Sequence, residues 1–342
     1  MTWMRGRSLA PAMLALIAAA CGSGGAAPAD EGPGTGPITV YSGREQELVE
    51  PVFKLFTDAT GIEVNVRYGD TAELAAQILE EGGNTPADVF FAQDAGGLGA
   101  VAEAGMFALL PNELLERVPD GFRAADGSWV GITGRARTVV YNTEQLTEAD
   151  LPGSIMDFTD PKWKGKIGWA PTNGSFQAFV TGLRLLKGDE AARGWLRGIK
   201  ANDPVEYPKN TAIVEAVGAG EILAGFVNHY YLLRIKAENP TLPAENLFIG
   251  GGDPGALVNV AGAGILQASD DRAAAGKFID FLLSTQGQAF FVTETFEYPL
   301  IAGVAPDPAL QSLEQLEPPA LDLAKLSDLE ATLEMLADEG LL

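Results

Sequence analysis

"ITVYSGREQELVEPVFKLFTDATGIEVNVRYGDTAELAAQILEEGGNTPADVFFAQDAG" (38–96) decides the fold class. Its first six residues read as a strand. Leu48, Val49, Val52, Phe53 and Phe56 then recur at helical spacing. "TGIEVNVRYG" returns to strand periodicity, with Val64, Val66 and Tyr68 on one face. Thr71 is placed to cap a second helix whose buried face carries Leu74 and Ile78, and "ADVFFAQ" is a short apolar strand. "GGLGAVAEAGMF" opens a further helix. Alternation of this kind predicts an α/β domain with a mostly parallel sheet and helices on both faces.

The pattern restarts downstream. "GKIGWAP" (165–171), "LAGFVN" (223–228) and "GALVNVAGAGIL" (255–266) read as strands. "SFQAFVTGLRLLKG", "NTAIVEAVGAGE", "YYLLRIKAE" and one long helix over "AGKFIDFLLSTQGQAFF" read as helices, and "LSDLEATLEMLADEG" closes the chain. With 342 residues, two lobes fit better than one core. The 46 acidic against 23 basic side chains leave a formal charge of −23, which argues against a nucleic-acid partner held by a basic patch.

The N-terminus reads as an export signal. Arg5 and Arg7 precede "LAPAMLALIAAAC", an apolar stretch too short to span a bilayer. "IAAAC" resembles a bacterial lipoprotein signal, so residues 1–20 are expected to be removed and Cys21 to carry lipid. Cys21 is the only cysteine, which excludes an intrachain disulfide. The Gly-, Pro- and Ala-rich residues 21–37 read as a flexible tether.

In open α/β sheets ligands sit beyond the carboxyl ends of strands. The loops to inspect are therefore "YSGRE", "AQDAG", "APTNGS" and "NHYY". Enzyme signatures are poor. One histidine excludes an HExxH zinc site, and no nucleophile elbow or phosphate-binding loop follows the leader. "GLGAVA" (97–102) matches a dinucleotide pattern but lies in the third unit, where small residues for close helix packing account for it better. "PTNGSF" combines hydroxyls, an amide and the start of a helix, which suits an anion or a plain cap. The adjacent Tyr230 and Tyr231 admit two readings. One ring can pack inward while the other faces solvent. Alternatively both phenols, with pKa values near ~10, can meet a hard, highly charged cation that displaces their protons.

Taken together, "ITVYSGREQELVEPVF", "TGIEVNVRYGDTAELAAQILEEG", "PADVFFAQDAG", "GITGRARTVVYNT", "WKGKIGWAPTNGSFQAFV", "VNHYY", "GDPGALVNVAGAG" and "FEYPLIAGV" resemble the bacterial ferric-ion-binding proteins, the solute-binding components of iron ABC transporters. The likeness spans 38 to about 304. It implies a two-lobed class II periplasmic-binding-protein fold, with a hinge of two crossing strands and the ligand in the cleft. The lobes would comprise 38–133 with 258–305, and 134–257 with 306–342. Fe(III) would be the cargo, with phosphate or carbonate as a synergistic anion. Carried over residue by residue, the metal ligands fall on Tyr230 and Tyr231, with a further tyrosine at Tyr141. The anion contacts fall on Asn173, Gly174, Ser175, Asn210 and Asn228. Where many members have histidine in the first loop, this chain has Glu45; where many have glutamate after the third strand, it has Gln93 beside Asp94. Glu45 is therefore expected either as the carboxylate ligand or as a negative side chain that only favours the helix N-terminus; in the first case Gln93 would contact the anion or water, with His229 outside the ligand set. The expected partners are a permease and an ATPase, reached by a monomer anchored in the cell envelope. A binder of an organic anion, a phosphonate or a polyamine on the same fold is the competing reading.

Overall fold

The computed structural model describes residues 34–342. The expected signal, the lipidation site Cys21 and the tether up to residue 33 lie outside the described residues. The end of that tether is held: the Asp271 carboxylate accepts N–H bonds from Gly34 (3.0 Å) and Gly36 (3.1 Å), and Lys277 donates to the Gly34 carbonyl (2.7 Å).

The opening stretch folds as its periodicity predicts. Strand β1 (Ile38–Ser42) leads to α1 (Gln46–Thr60), β2 (Val64–Tyr68), α2 (Thr71–Glu81), β3 (Val89–Ala92) and α3 (Ala95–Glu103). A short α4 (Asn112–Leu115) precedes β4 (Val130–Asn142), a strand buried along its whole length. Next come β5 (Ile167–Trp169), α5 (Gly174–Lys187), α6 (Asp189–Ala201), β6 (Val205–Glu206) and α7 (Asn210–Gly218). The chain continues through β7 (Ala224–Asn228), α8 (Tyr230–Glu238), β8 (Ala244–Leu247) and β9 (Val258–Ile265). It ends with α9 (Arg272–Leu282), α10 (Thr285–Phe290), β10 (Tyr298–Pro299), α11 (Leu313–Leu316) and α12 (Leu329–Asp338).

The sheet runs β2-β1-β3-β9-β4-β7-β5-β6, with β8 and β10 also paired to β4. Parallel pairing is confined to β2-β1-β3 on one side and β7-β5-β6 on the other. The centre is antiparallel, because β4 and β9 run against their neighbours. The expectation of mostly parallel sheets therefore holds only for the flanks. Strand β4 joins them: Val130 to Ala136 pair with β9, whereas Arg137 to Asn142 pair with β7 and β8.

Two large cores flank this junction. One gathers Val40, Phe53, Phe56, Phe90, Trp129, Ile132 and Phe278; the other gathers Phe158, Trp169, Phe176, Trp195 and Phe226. Residues 306–342 touch both: Leu323 and Leu326 enter the first core, Met335 and Leu336 the second. The single long helix expected near residue 280 is broken between α9 and α10, because the Ser284 hydroxyl accepts the Gly287 N–H and starts a new helix. No helix among the described residues is long and apolar enough to cross a membrane.

Candidate metal and anion site

Direction of chain decides which loops meet. β7 and β5 run parallel, as do β5 and β6, so the segments after Asn228, Trp169 and Glu206 leave the same edge of the sheet. There the "PTNGSF" loop closes on itself. The Asn173 Oδ1 accepts from the Ser175 N–H (3.1 Å), the Ser175 hydroxyl (2.6 Å) and the Asn210 amide (3.1 Å). The same Asn210 amide reaches the Ser175 hydroxyl at 3.0 Å. Asn173 thus caps α5, and the first residue of α7 is tied to the cap. Gly174 is the first residue of α5, and Asn228 ends β7, buried opposite Arg137.

Tyr230 and Tyr231 begin α8 and stack on one another, ring centroids 4.3 Å apart at 28°. Neither sequence reading anticipated this stacking. The rings do not diverge; Tyr230 is buried and Tyr231 half-buried beside it. Burial, and then the neighbouring phenol, push the Tyr230 hydroxyl well above the usual phenolic range. That hydroxyl therefore keeps its proton at neutral pH.

His229 packs edge-on against Tyr230, ring centroids 5.8 Å apart. Its Nδ1 accepts the Ala136 N–H (3.1 Å), which leaves the proton on Nε2 to donate to the Phe296 carbonyl (2.8 Å). Burial lowers its pKa to about 4. Both ring nitrogens are engaged by backbone, and the imidazole stitches α8 to β4 and to the turn before β10.

The structure does not bring Tyr141 to the pair. It lies opposite Ala224 at the start of β7, four residues from the Arg137–Asn228 register, or about 13 Å along the strand at roughly 3.3 Å per residue. Its ring also joins the core with Trp169 and Phe226, whereas Tyr231 packs with Val140 and Val227 on the other face.

On the other flank, β1, β2 and β3 are parallel, so "SGRE", the start of α2 and "QD" share an edge. They meet at Thr71, whose hydroxyl accepts the Gln93 N–H at 3.0 Å. Gly43 is required there, because a Cβ would lie 2.1 Å from the Thr71 Oγ1. Asp94 is committed to capping α3, accepting the Gly97 N–H at 3.0 Å. Glu45 occupies the N-cap position of α1 without a side-chain cap bond, and it lines an exposed acidic recess with Gln46, Glu47 and Glu50.

Four charged residues near the tyrosines were not singled out from sequence. Arg44 and Glu297 form a fully buried ion pair (2.6 Å), and Thr133 donates to the same carboxylate. Burial opposes the Arg44 charge, yet Glu297 holds its pKa above the ordinary value, and the two tyrosines lie close enough to act on it as well. Arg135 and Arg137 project from the buried β4. Arg137 sits over the Phe179 ring (5.1 Å) and donates to the Phe226 carbonyl (3.0 Å). Burial lowers its pKa to about 9. Its Nε and Nη1, with the Nε atoms of Arg44 and Arg135, have no hydrogen-bond partner. Two arginines at alternating positions of an apolar strand, "GRARTVV", were the available signal. No equivalent signal marked Arg44.

Among the described residues, no cluster of three or more His, Cys, Asp or Glu could hold a metal ion. The carboxyl ends of the strands in the two α/β flanks converge on the middle of β4, the place where open α/β sheets bind ligands. The chain belongs to the bacterial extracellular solute-binding proteins, whose family profile matches residues 52–318. It is 36% identical to the major ferric iron-binding protein of Neisseria meningitidis over 316 residues, covering 90% of this chain and 94% of that one. Iron-bound HitA from Pseudomonas aeruginosa superposes with a TM-score of 0.83 at 38% identity, over 90% of this chain and 99% of that one. A Trichodesmium IdiA (FutA) protein in complex with iron and citrate ligands superposes with a TM-score of 0.80 at 29% identity, over 90% and 100% of the two chains.

Proposed function

We propose that this protein captures ferric ion together with a companion anion outside the cytoplasm and delivers it to an ABC transporter. The observation that carries the reading is the stacked tyrosine pair, 4.3 Å between centroids, set at a strand's carboxyl end among buried arginines. Phenolate oxygen is a hard donor suited to a trivalent cation, which displaces the phenolic proton as it binds. Relatives named as ferric iron-binding proteins support the choice of cargo.

Tyr230 and Tyr231 are the metal ligands in this reading. With Tyr141 remote, two phenolates leave a trivalent ion short of negative charge. Glu45 from the opposite lobe and the anion make up the difference. Asn173, Gly174, Ser175, Asn210, Asn228 and Gln93 hold that anion, phosphate or carbonate, and the buried arginines favour its charge. The lobes are 38–133 with 258–305, and 134–257, with residues 306–342 shared between them. Cys21 carries the lipid that keeps the monomer at the membrane, within reach of its permease and ATPase.

Ferric titration of the cargo-free protein tests the reading. A visible phenolate-to-iron charge-transfer band is expected, lost in Tyr230→Phe and in Tyr231→Phe. A protein that stays colourless and unprotected against heat by ferric salt, yet is stabilised by an organic anion, a phosphonate or a polyamine alone, would overturn it. Glu45→Ala separates that residue's role: unchanged affinity and colour would remove it from the ligand set.

A further inference from the structure

After β10 the chain does not remain with one lobe. Leu310 and Leu316 cover the crossing strands, packing with Ala136, Ala256, Val258 and Tyr298. A 3-10 turn, Leu323–Ser327, then docks chiefly on α3 in the first lobe while its edge also touches α5 of the second. The contact is backbone-close: a Cβ on Gly99 would lie 2.2 Å from the Ala324 carbonyl oxygen. The Ser327 hydroxyl donates to Glu103 at 2.8 Å. The very next residue belongs to the second lobe. Arg184 of α5, itself buried, donates to the Asp328 carbonyl (3.2 Å) and carboxylate (3.2 Å). One turn further on, Thr332 meets Thr181 (2.7 Å) and Arg184 (2.9 Å), and Met335 and Leu336 enter the second core.

We propose that the Ser327–Asp328 junction is a third tie between the lobes, one that limits how far the cleft opens. Consecutive Cα atoms are about 3.8 Å apart, so anchors on the two lobes are joined without a spare residue. The crossing connection touches another side of α5, where Leu257 packs against Gly182, and the tail grips Thr181 and Arg184. With a lever arm of about one helix diameter (~10 Å), an opening of about 20° around β4 and β9 alone would pull the anchors roughly 3–4 Å apart. The junction has no slack for that. Opening is then confined to rotations that leave the junction in place, and wider opening requires an anchor to let go. This inference needs only the two-lobed fold and is independent of what the cleft holds.

The test uses the full chain without iron, in a Cys21→Ser background. Spin labels are placed at the exposed positions Glu80→Cys and Glu206→Cys, one on each lobe. Six Gly/Ser residues are inserted between Ser327 and Asp328, adding a link of about 13 Å root-mean-square reach. The expected result is an interlobe distance distribution roughly 5 Å or more broader than in the parent. The same insertion after the exposed Gly303, ahead of both anchors, should leave the parent distribution. A junction insertion whose distribution superposes on the parent, or a control that broadens equally, would overturn the proposal. Should the insertion impair folding, a protease site placed there and cut after folding gives the same readout: broadening on cleavage supports the tie, and an unchanged distribution refutes it.

Discussion

Glu297→Gln is the substitution whose consequence the structure fixes most tightly. The carboxylate is fully buried, takes two bonds from Arg44 (2.6 and 3.3 Å) and one from Thr133, and is within reach of the charge on Arg135. Removing its charge leaves two buried guanidinium groups without their counter-ion. Breaking a buried pair from one side costs about 3–5 kcal/mol. At about 2 °C per kcal/mol for a chain of this size, the melting temperature should fall by roughly 6–10 °C. Arg44→Met should cost less, about 1–3 kcal/mol, because Glu297 keeps Arg135 and Thr133. Burial works against the Glu297 charge, but Arg44 and then Arg135 outweigh it and hold the folded pKa below the ordinary value. A depressed carboxyl pKa stabilises fully above the unfolded value, near ~4.3, and the contribution fades as pH falls through the folded value. The gap between parent and Glu297→Gln should therefore be constant above about pH 5 and narrow below it. Calorimetric melts of the three proteins from neutral pH downward decide the matter. A Glu297→Gln shift under about 1 °C, or Arg44→Met proving the more damaging, would refute the charge arrangement.

Two further outcomes follow from packing and capping. Asp271→Ala removes the cap of α9 and the carboxylate holding Gly34 and Gly36. It should cost about 1–2 kcal/mol and expose the 34–37 segment to limited proteolysis that the parent resists. Gly99→Ala drives a Cβ against the Ala324 carbonyl. It should destabilise by about 1–3 kcal/mol, read in urea unfolding, with enhanced proteolysis after Lys325.

The opening β-α-β-α-β-α run and the start of α8 were legible because each depends on local periodicity, which side-chain hydrophobicity reports directly. The break between α9 and α10 was not, since a serine cap competes with an apolar pattern that continues across it. The tyrosine pair stood out as a sequence feature. That the rings stack, and that Tyr141 lies on the other face and near the far end of its strand pairing, depended on register and strand direction. The glycines of "GLGAVA" were read as packing residues, but their partners were not legible: Gly97 packs on Thr71, and Gly99 on Ala324 of the distant tail, some 225 residues on.

By itself the sequence determined the α/β class, the acidic surface, the absence of enzyme motifs, and the loops that could carry a ligand. Those properties are local or compositional, and no contact between remote residues is needed to state them. Tertiary structure alone decided that the sheet is antiparallel at its centre and that Arg44 and Glu297 neutralise one another. It also decided that Ser327 and Asp328 grip opposite lobes. Each of these joins residues distant in the chain, and their pairing is set by which strands lie side by side and in which direction they run, information that no short window of residues contains.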